Sequence, residues 1–317
     1  MMYSKYTFLL PAYKALFFEN ALKSIKNQVY DKFNVIVSDD CSPENLKSIY
    51  DRIVGNDSRF EYRRNEKNIG SISLVAHWNL LVDLCDTEFL IMASDDDVYE
   101  SNFLEEIDSL TRNNSQVNLF RARVRRINEN GEIIEEDSLF NSYESQISFI
   151  YNHYKSNAIH CIANYVFRSS VIKKYKFVDF PLAWFSDDAT IFLCSANGVA
   201  NTNAFLFKFR DSDSNLSNLH YTTEENRYKK IIASERFYLW FNDRVLTTLR
   251  PNDKIEEKQI NAISYYFRRR VFEQIKAYNH QLAYKRSVAI YKWLCNNGFI
   301  IDRFIKVQYW WDWINKR

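Results

Sequence analysis

Residues 33–44 read Phe-Asn-Val-Ile-Val-Ser-Asp-Asp-Cys-Ser-Pro-Glu, a β-branched run that stops at an acidic pair and passes into a Ser-Pro step. A short apolar run of this kind reads as a buried strand, and Ser42-Pro43 reads as an N-cap and first helical turn. A strand therefore hands the chain to a helix, with Asp39 and Asp40 at the junction. The same pattern lies on either side. Upstream, Tyr6 to Leu10 is an apolar run ended by Pro11, after which Phe18, Leu22, Ile25 and Val29 recur at helical spacing. Downstream, Phe60 to Arg63 is a short strand, and Asn68-Ile69-Gly70-Ser71 opens a helix carrying Leu74, Val75, Trp78, Leu81, Val82 and Cys85. Glu88 to Ala93 is then a buried strand running into Ser94-Asp95-Asp96-Asp97. Three β-to-α units with acid at the strand ends predict an open α/β sheet whose acidic turns converge on one crevice outside the carboxyl ends of its strands.

From Val117 the pattern turns to alternation, and Asn130-Gly131 between Arg125-Arg126-Ile127 and Ile133-Ile134 signals a hairpin. Helical spacing dominates from about Glu224. The expected organisation is a mixed domain over residues 1–220 and a helical region over 221–317, without internal repeats. The two parts differ in charge: the last 97 residues hold 19 basic and 10 acidic side chains and the first 220 hold 23 and 30, so the whole is +2 but strongly polarised.

Composition narrows the chemistry. With 317 residues, 46% of them apolar and 26% charged, the chain has ample core for a folded protein. Its 5 glycines fall far below the usual ~7%. Gly55, Gly70, Gly131, Gly198 and Gly298 are too scattered for the backbone cradles of dinucleotide or P-loop sites, so phosphate must be held another way. The 5 cysteines form no CxxC pair, and an odd count argues against a disulfide framework. The apolar stretch before Pro11 is too short for a secretory leader, and Asn197, Gly198, Asn201 and Asn203 interrupt the longest uncharged segment. A cytoplasmic setting without a membrane span is the expectation.

A diphosphate ligand without a glycine cradle needs a divalent cation, and a hard cation takes carboxylate oxygens. Asp95-Asp96-Asp97 offers three after an apolar strand. The same triplet also suits a solvated loop or a helix N-terminus.

The order of motifs then carries a resemblance. PAYK, ALKSIKNQVYDKFNVIVSDDCSPE, RRNEKNIGS, EFLIMASDDD, FSDD and FRDSDSNLS span residues 6 to about 217 and are similar in sequence and spacing to the family 2 glycosyltransferases of GT-A fold. The resemblance implies an α/β mixed sheet flanked by helices with a helical C-terminal appendage. It also implies inverting transfer from a nucleotide-diphosphate sugar, by default a UDP-sugar, to a saccharide or lipid-linked saccharide acceptor in polysaccharide biosynthesis. Because the chain lacks the membrane spans of the family's processive members, and Gln308-Tyr309-Trp310-Trp311 lacks the Arg of their Q-x-x-R-W element, transfer of one sugar is expected. Pro11, Tyr13, Asp39 and Asp40 would line the nucleotide pocket, with Asp40 toward the base, while Asn68 and Gly70 would close over the nucleoside. Asp95, Asp96 and Asp97 would hold Mn²⁺ or Mg²⁺, in a register left open because Ser94 can take the first place. Asp188, beside Asp187, aligns with the general base, although Ser-Asp-Asp is also an N-cap sequence. Arg210 either orders the site and contacts phosphate or pairs with Asp211 or Asp213. His220 is a further candidate metal ligand, against the alternative of a surface histidine.

Two departures from the family pattern are Cys41, where Gly is common after the acidic pair, and Asp187, where Glu is usual. The C-terminal region, with Arg268-Arg269-Arg270 and Trp310, Trp311 and Trp313, suits either an anionic membrane surface or packing on the catalytic domain, and no nucleic-acid-binding module is recognisable. A nucleotidyltransferase would need a glycine-rich phosphate loop, which is absent. An inactive glycosyltransferase-like scaffold or carbohydrate-binding protein is the other reading.

Overall fold

Apolar runs flanked by amphipathic segments give four parallel strands and three connecting helices in the first third of the chain. The strands are β1 (Tyr6–Ala12), β2 (Phe33–Asp39), β3 (Phe60–Arg64) and β4 (Phe89–Met92), and the helices are α1 (Phe18–Lys26), α2 (Leu46–Val54) and α3 (Leu74–Leu84). They lie in the order β3-β2-β1-β4, and all four residues of β4 are buried, as expected of a central strand covered on both faces. The register pairs Ala12 with Asp39 and Asp39 with Arg64, which brings the carboxyl ends of β1, β2 and β3 level. The computed structural model describes residues 4–156, 158–215, 223–279, 282 and 284–299. His220 and the Trp310, Trp311 and Trp313 group lie outside the described residues.

Local helix boundaries differ from expectation where tertiary contacts take the capping groups. Ser42 does not open α2: its N–H donates to Asp39 and its Oγ to the Tyr13 carbonyl, so the helix starts at Leu46, with the Asn45 side chain accepting from Ser48 N–H. Likewise, Asn68 to Ser71 form a turn, and α3 begins at Leu74 with Ser73 Oγ accepting from Ala76 N–H. Val29 falls beyond the end of α1 and is exposed.

The chain continues through β5 (Val98–Tyr99), α4 (Phe103–Asn113), β6 (Leu119–Ile127), β7 (Ile133–Glu136), β8 (Tyr143–Glu144) and α5 (Gln146–Lys155). It then forms β9 (Tyr165–Arg168), α6 (Ser169–Tyr175), α7 (Ser186–Cys194) and β10 (Val199–Arg210). Together the strands make a ten-stranded mixed sheet in the order β3-β2-β1-β4-β9-β6-β10-β5, with β7 on β6 and β8 on β10. β9 runs antiparallel to both β4 and β6 and so joins the parallel half to the mixed half. The hairpin at Asn130-Gly131 forms, pairing Ile127 with Ile133 across a turn in which Gly131 has φ +85°. Phe8, Phe33, Phe89, Phe103, Phe120 and Val124 are among the fully buried side chains of the core that supports the sheet.

The chain divides into two compact units, one of Met1–Asp179 with Ser186–Ser212 and one of Phe180–Phe185 with Asp213–Arg317. The second contains α8 (Glu224–Phe241), α9 (Lys254–Asn279) and α10 (Tyr284–Asn296). Aromatic rings organise it: Phe185 stacks on Phe237 at 4.5 Å and Phe241 lies 4.1 Å from Phe267, ring centre to ring centre. Arg268 is tied inward to the Tyr238 hydroxyl and the Asn297 carbonyl, whereas Arg269 and Arg270 are exposed. Among the described residues no helix is long and apolar enough to cross a membrane.

Candidate active site

The loops at the carboxyl ends of β1, β2 and β4 are held together by buried carboxylates. Asp39, fully buried, accepts from Ser42 N–H at 2.8 Å and Tyr62 Oη at 2.5 Å, and pairs with Arg64. Asp40 accepts from the N–H groups of Ile69 (2.9 Å) and Gly70 (2.7 Å) and from Asn65 Nδ2 (2.8 Å). Its carboxylate thus pulls the 65–70 loop against the end of β2. A Cβ on Gly70 would meet Asp40 Oδ2 at 2.9 Å, so glycine is needed there for close approach. His77 lies beneath this loop, bonded to Ser38 Oγ at 2.8 Å, and burial lowers its pKa. Pro11 is within β1, opposite Ser38, and the Tyr13 ring is exposed at the strand ends. Both members of the acidic pair are therefore engaged by protein donors at the end of β2.

The three carboxylates after β4 have different surroundings. Asp95 Oδ2 accepts from Tyr13 N–H at 2.8 Å and Lys14 N–H at 2.9 Å, which docks the loop after β1 onto the acidic segment. Asp97 is buried, accepting from Ser94 Oγ and, at 2.8 Å, from Arg210 N–H. Asp96 is half-buried between them, and burial followed by the charge of Asp95 raises its pKa to about 6. Burial raises Asp95 and, together with the charge of Asp96, pushes Asp97 well up, because adjacent carboxylates disfavour one another's ionisation.

Arg210 serves this segment. Its Nε donates to the Asp96 carbonyl at 2.9 Å, and Nη1 donates to the carbonyls of Asn128 and Glu129. The guanidinium, 4.3 Å from the Phe17 ring centre, braces the backbone of the acidic turn against the β6–β7 hairpin. Asp211 lies 3.7 Å from Arg126.

Asp187 and Asp188 occupy the first turn of α7, where the macrodipole favours acid. Asp187 is raised to about 7 by burial and then by the charge of Asp188. Asp188 Oδ1 lies 3.0 Å from Nε2 of His153, on α5. The chain reaches this turn through a constrained segment in which Leu182, Ala183 and Phe185 all have positive φ, at +60°, +55° and +68°.

Cys161 precedes β9, and burial, then the charge of Asp97, push its thiol well up, with Asp187 adding to the effect. Lys14, Tyr62, Arg64, Asn65, His77, His153 and Cys161 were not singled out by sequence reasoning. For most of them the only signal is proximity to a motif, as with Lys14 in PAYK and Asn65 in RRNEKNIGS.

The donor set suits a hard divalent cation. Among the described residues no three His, Cys, Asp or Glu side chains converge into a closed cage. Mg²⁺ and ions like it are commonly held by one or two carboxylates, with phosphate and water oxygens completing the shell. Asp95 takes two backbone N–H donors from the loop after β1 and Asp97 takes one from Arg210, while Asp96 is engaged by the Ser94 hydroxyl.

The family model described as Glycosyl transferase family 2 matches residues 7–175. No match is found among curated protein sequences. Among solved structures, S. aureus TarS 1-349 in complex with UDP-GlcNAc aligns with a TM-score of 0.57 and 14% identity, covering 96% of this chain and 89% of that one. The mannosyltransferase PcManGT from Pyrobaculum calidifontis, in complex with GDP-Man and Mn²⁺, aligns with a TM-score of 0.56 and 12% identity, covering 94% and 77%.

Proposed function

The chain belongs to glycosyl transferase family 2 and has the GT-A architecture expected from its sequence, and from that premise we propose an inverting transfer of one sugar from a UDP-sugar to a saccharide hydroxyl. The acceptor is a growing or lipid-linked saccharide in polysaccharide assembly, and the sugar is a hexose or N-acetylhexosamine. The observation that carries this reading is the acidic turn after β4, docked to the loop after β1 through Asp95 and braced by Arg210, with a second acidic pair, Asp187–Asp188, opening α7. The turn suits a cation and a diphosphate, and the pair suits a proton acceptor.

Asp188 is the base. As the acceptor oxygen bonds to the anomeric carbon, its proton passes to the Asp188 carboxylate, and the bond from that carbon to the diphosphate breaks with its electron pair on the departing UDP. Asp187, with its raised pKa, limits the negative charge around Asp188. Asp40, by holding Ile69 and Gly70, keeps the 65–70 loop in place as a wall for the nucleoside, with Tyr13 at its mouth. Asp96, with Asp95 and Asp97 beside it, would hold Mn²⁺ or Mg²⁺, which when bound supplies Lewis-acid stabilisation of the leaving diphosphate. The exposed Arg269 and Arg270, in a region with excess positive charge, suit contact with an anionic membrane carrying a lipid-linked acceptor.

A thermal-shift panel of UDP, GDP, CDP and ADP, each with and without Mn²⁺, tests the donor and metal assignments. A ligand at 100 times its Kd adds about 2.7 kcal/mol to stability. UDP is expected to stabilise most, in a Mn²⁺-dependent way that Asp96→Ala removes. A folded protein unmoved by any nucleotide would instead support a scaffold role.

A further inference from the structure

The contact of Asp188 with a histidine lies outside the motifs that define the site. His153 and Phe149 are one turn apart on α5, and Asp188 and Phe192 are one turn apart on α7. These two pairs meet: Phe149 packs 6.3 Å from Phe192, ring centre to ring centre, while His153 Nε2 stands 3.0 Å from Asp188 Oδ1. The imidazole is fixed on several sides. Its ring centre is 5.0 Å from that of Phe192, 5.1 Å from that of Tyr154 and 4.0 Å from that of His160, whose Nδ1 lies 2.5 Å from Tyr165 Oη. Helix α5 is further tied to α7 by Gln146 Nε2, which donates to the Phe192 carbonyl at 2.9 Å.

The atoms identify the tautomer. Nε2 faces a carboxylate oxygen, which only accepts, so a hydrogen belongs on Nε2. His153 Nδ1 is buried with no hydrogen-bond partner among the described residues. A buried N–H without an acceptor costs about 1–3 kcal/mol, so Nδ1 is the bare nitrogen.

We propose that His153 is the positioning residue of the base: its Nε2–H holds Asp188 Oδ1 and thereby fixes Oδ2 as the oxygen that receives the acceptor proton. The role rests on the assignment of Asp188 as base. His153 itself takes up no proton from the acceptor, and its contribution is to hold the carboxylate in one rotamer while the hydroxyl approaches.

Two measurements on the full chain test this. In ¹⁵N-histidine-labelled protein, the NMR signals of His153, identified by their loss in His153→Phe, should report the Nε2–H tautomer and shift in Asp188→Ala. An Nδ1–H tautomer, or signals indifferent to Asp188→Ala, would overturn the proposal. For turnover, UDP-glucose and UDP-N-acetylglucosamine serve as donors with water as acceptor, read as UDP released. His153→Phe should remain folded, with some loss of stability from the broken hydrogen bond to Asp188, and lose roughly 10- to 100-fold in kcat with donor KM unchanged. His153→Gln, whose amide presents a donor in a similar place, should recover most of the loss. A His153→Phe enzyme with wild-type kcat sinks the role of His153 alone if Asp188→Asn is inactive, whereas an active Asp188→Asn removes the base assignment itself.

Discussion

At the level of single residues, the two neighbouring carboxylates of α7 have different surroundings. Asp188 has a histidine partner, whereas burial and the Asp188 charge raise Asp187 from the ordinary 3.8 to about 7. Folding therefore favours protonated Asp187. Between about pH 4 and pH 7 the folded chain binds more protons at this site than the unfolded chain, so the contribution of Asp187 to stability falls as pH rises through that window. Asp187→Asn should flatten this decline, which urea unfolding at pH 5 and pH 7.5 will measure; an unchanged difference between the two pH values would show that Asp187 titrates normally. The proposal of Asp188 as base comes from the order of motifs, which places it after the acidic triplet. His153 was not legible, since its partner lies on another helix and the matching i, i+4 pairs acquire meaning only when α5 and α7 are brought together. The roles within Asp95–Asp97 were equally hidden, because three identical side chains are distinguished only by the donors around them.

At the level of elements, backbone conformation leading into α7 is the feature without a sequence signature. Leu182, Ala183 and Phe185 are non-glycine residues at positive φ, where an L-residue costs roughly 1–2 kcal/mol. Ala183 is the cleanest to relieve, having only a methyl to lose. Ala183→Gly should raise stability by about 1 kcal/mol in urea unfolding, because glycine adopts this conformation freely. A destabilised variant would mean that the methyl packing outweighs the strain. Although β5, β8 and β9 were not legible, the four parallel strands and their order along the chain were, from apolar runs, and so was the β6–β7 hairpin, from Asn130-Gly131. Helix starts were less so. Ser42 has the chemistry of an N-cap, but Asp39 and Tyr13 engage its amide and hydroxyl, and capping passes to Asn45. Such competition is decided by parts of the chain that sequence proximity does not bring together.

At the level of the whole chain, charge polarity and unit organisation are related but distinct. The positive excess lies in residues 221–317, where Arg269 and Arg270 project from α9 while Arg268 is turned inward. Binding to vesicles containing phosphatidylserine should be detectable at low salt, should weaken as ionic strength rises, and should diminish in an Arg269→Glu, Arg270→Glu double variant. Equal sedimentation with neutral vesicles would remove the electrostatic explanation. The sequence foretold an α/β unit followed by helices, yet nothing in it announced that Phe180–Phe185 leaves the first unit for the second before the chain returns to build α7 and β10. That detour affects synthesis. A ribosome delivers Phe185 about fifty residues before Phe237, the ring on which it stacks, an interval of several seconds at roughly 5–20 residues per second. During that interval the segment immediately ahead of α7 is without its aromatic partner, so the nascent chain passes through a stage at which a chaperone has an apolar target there.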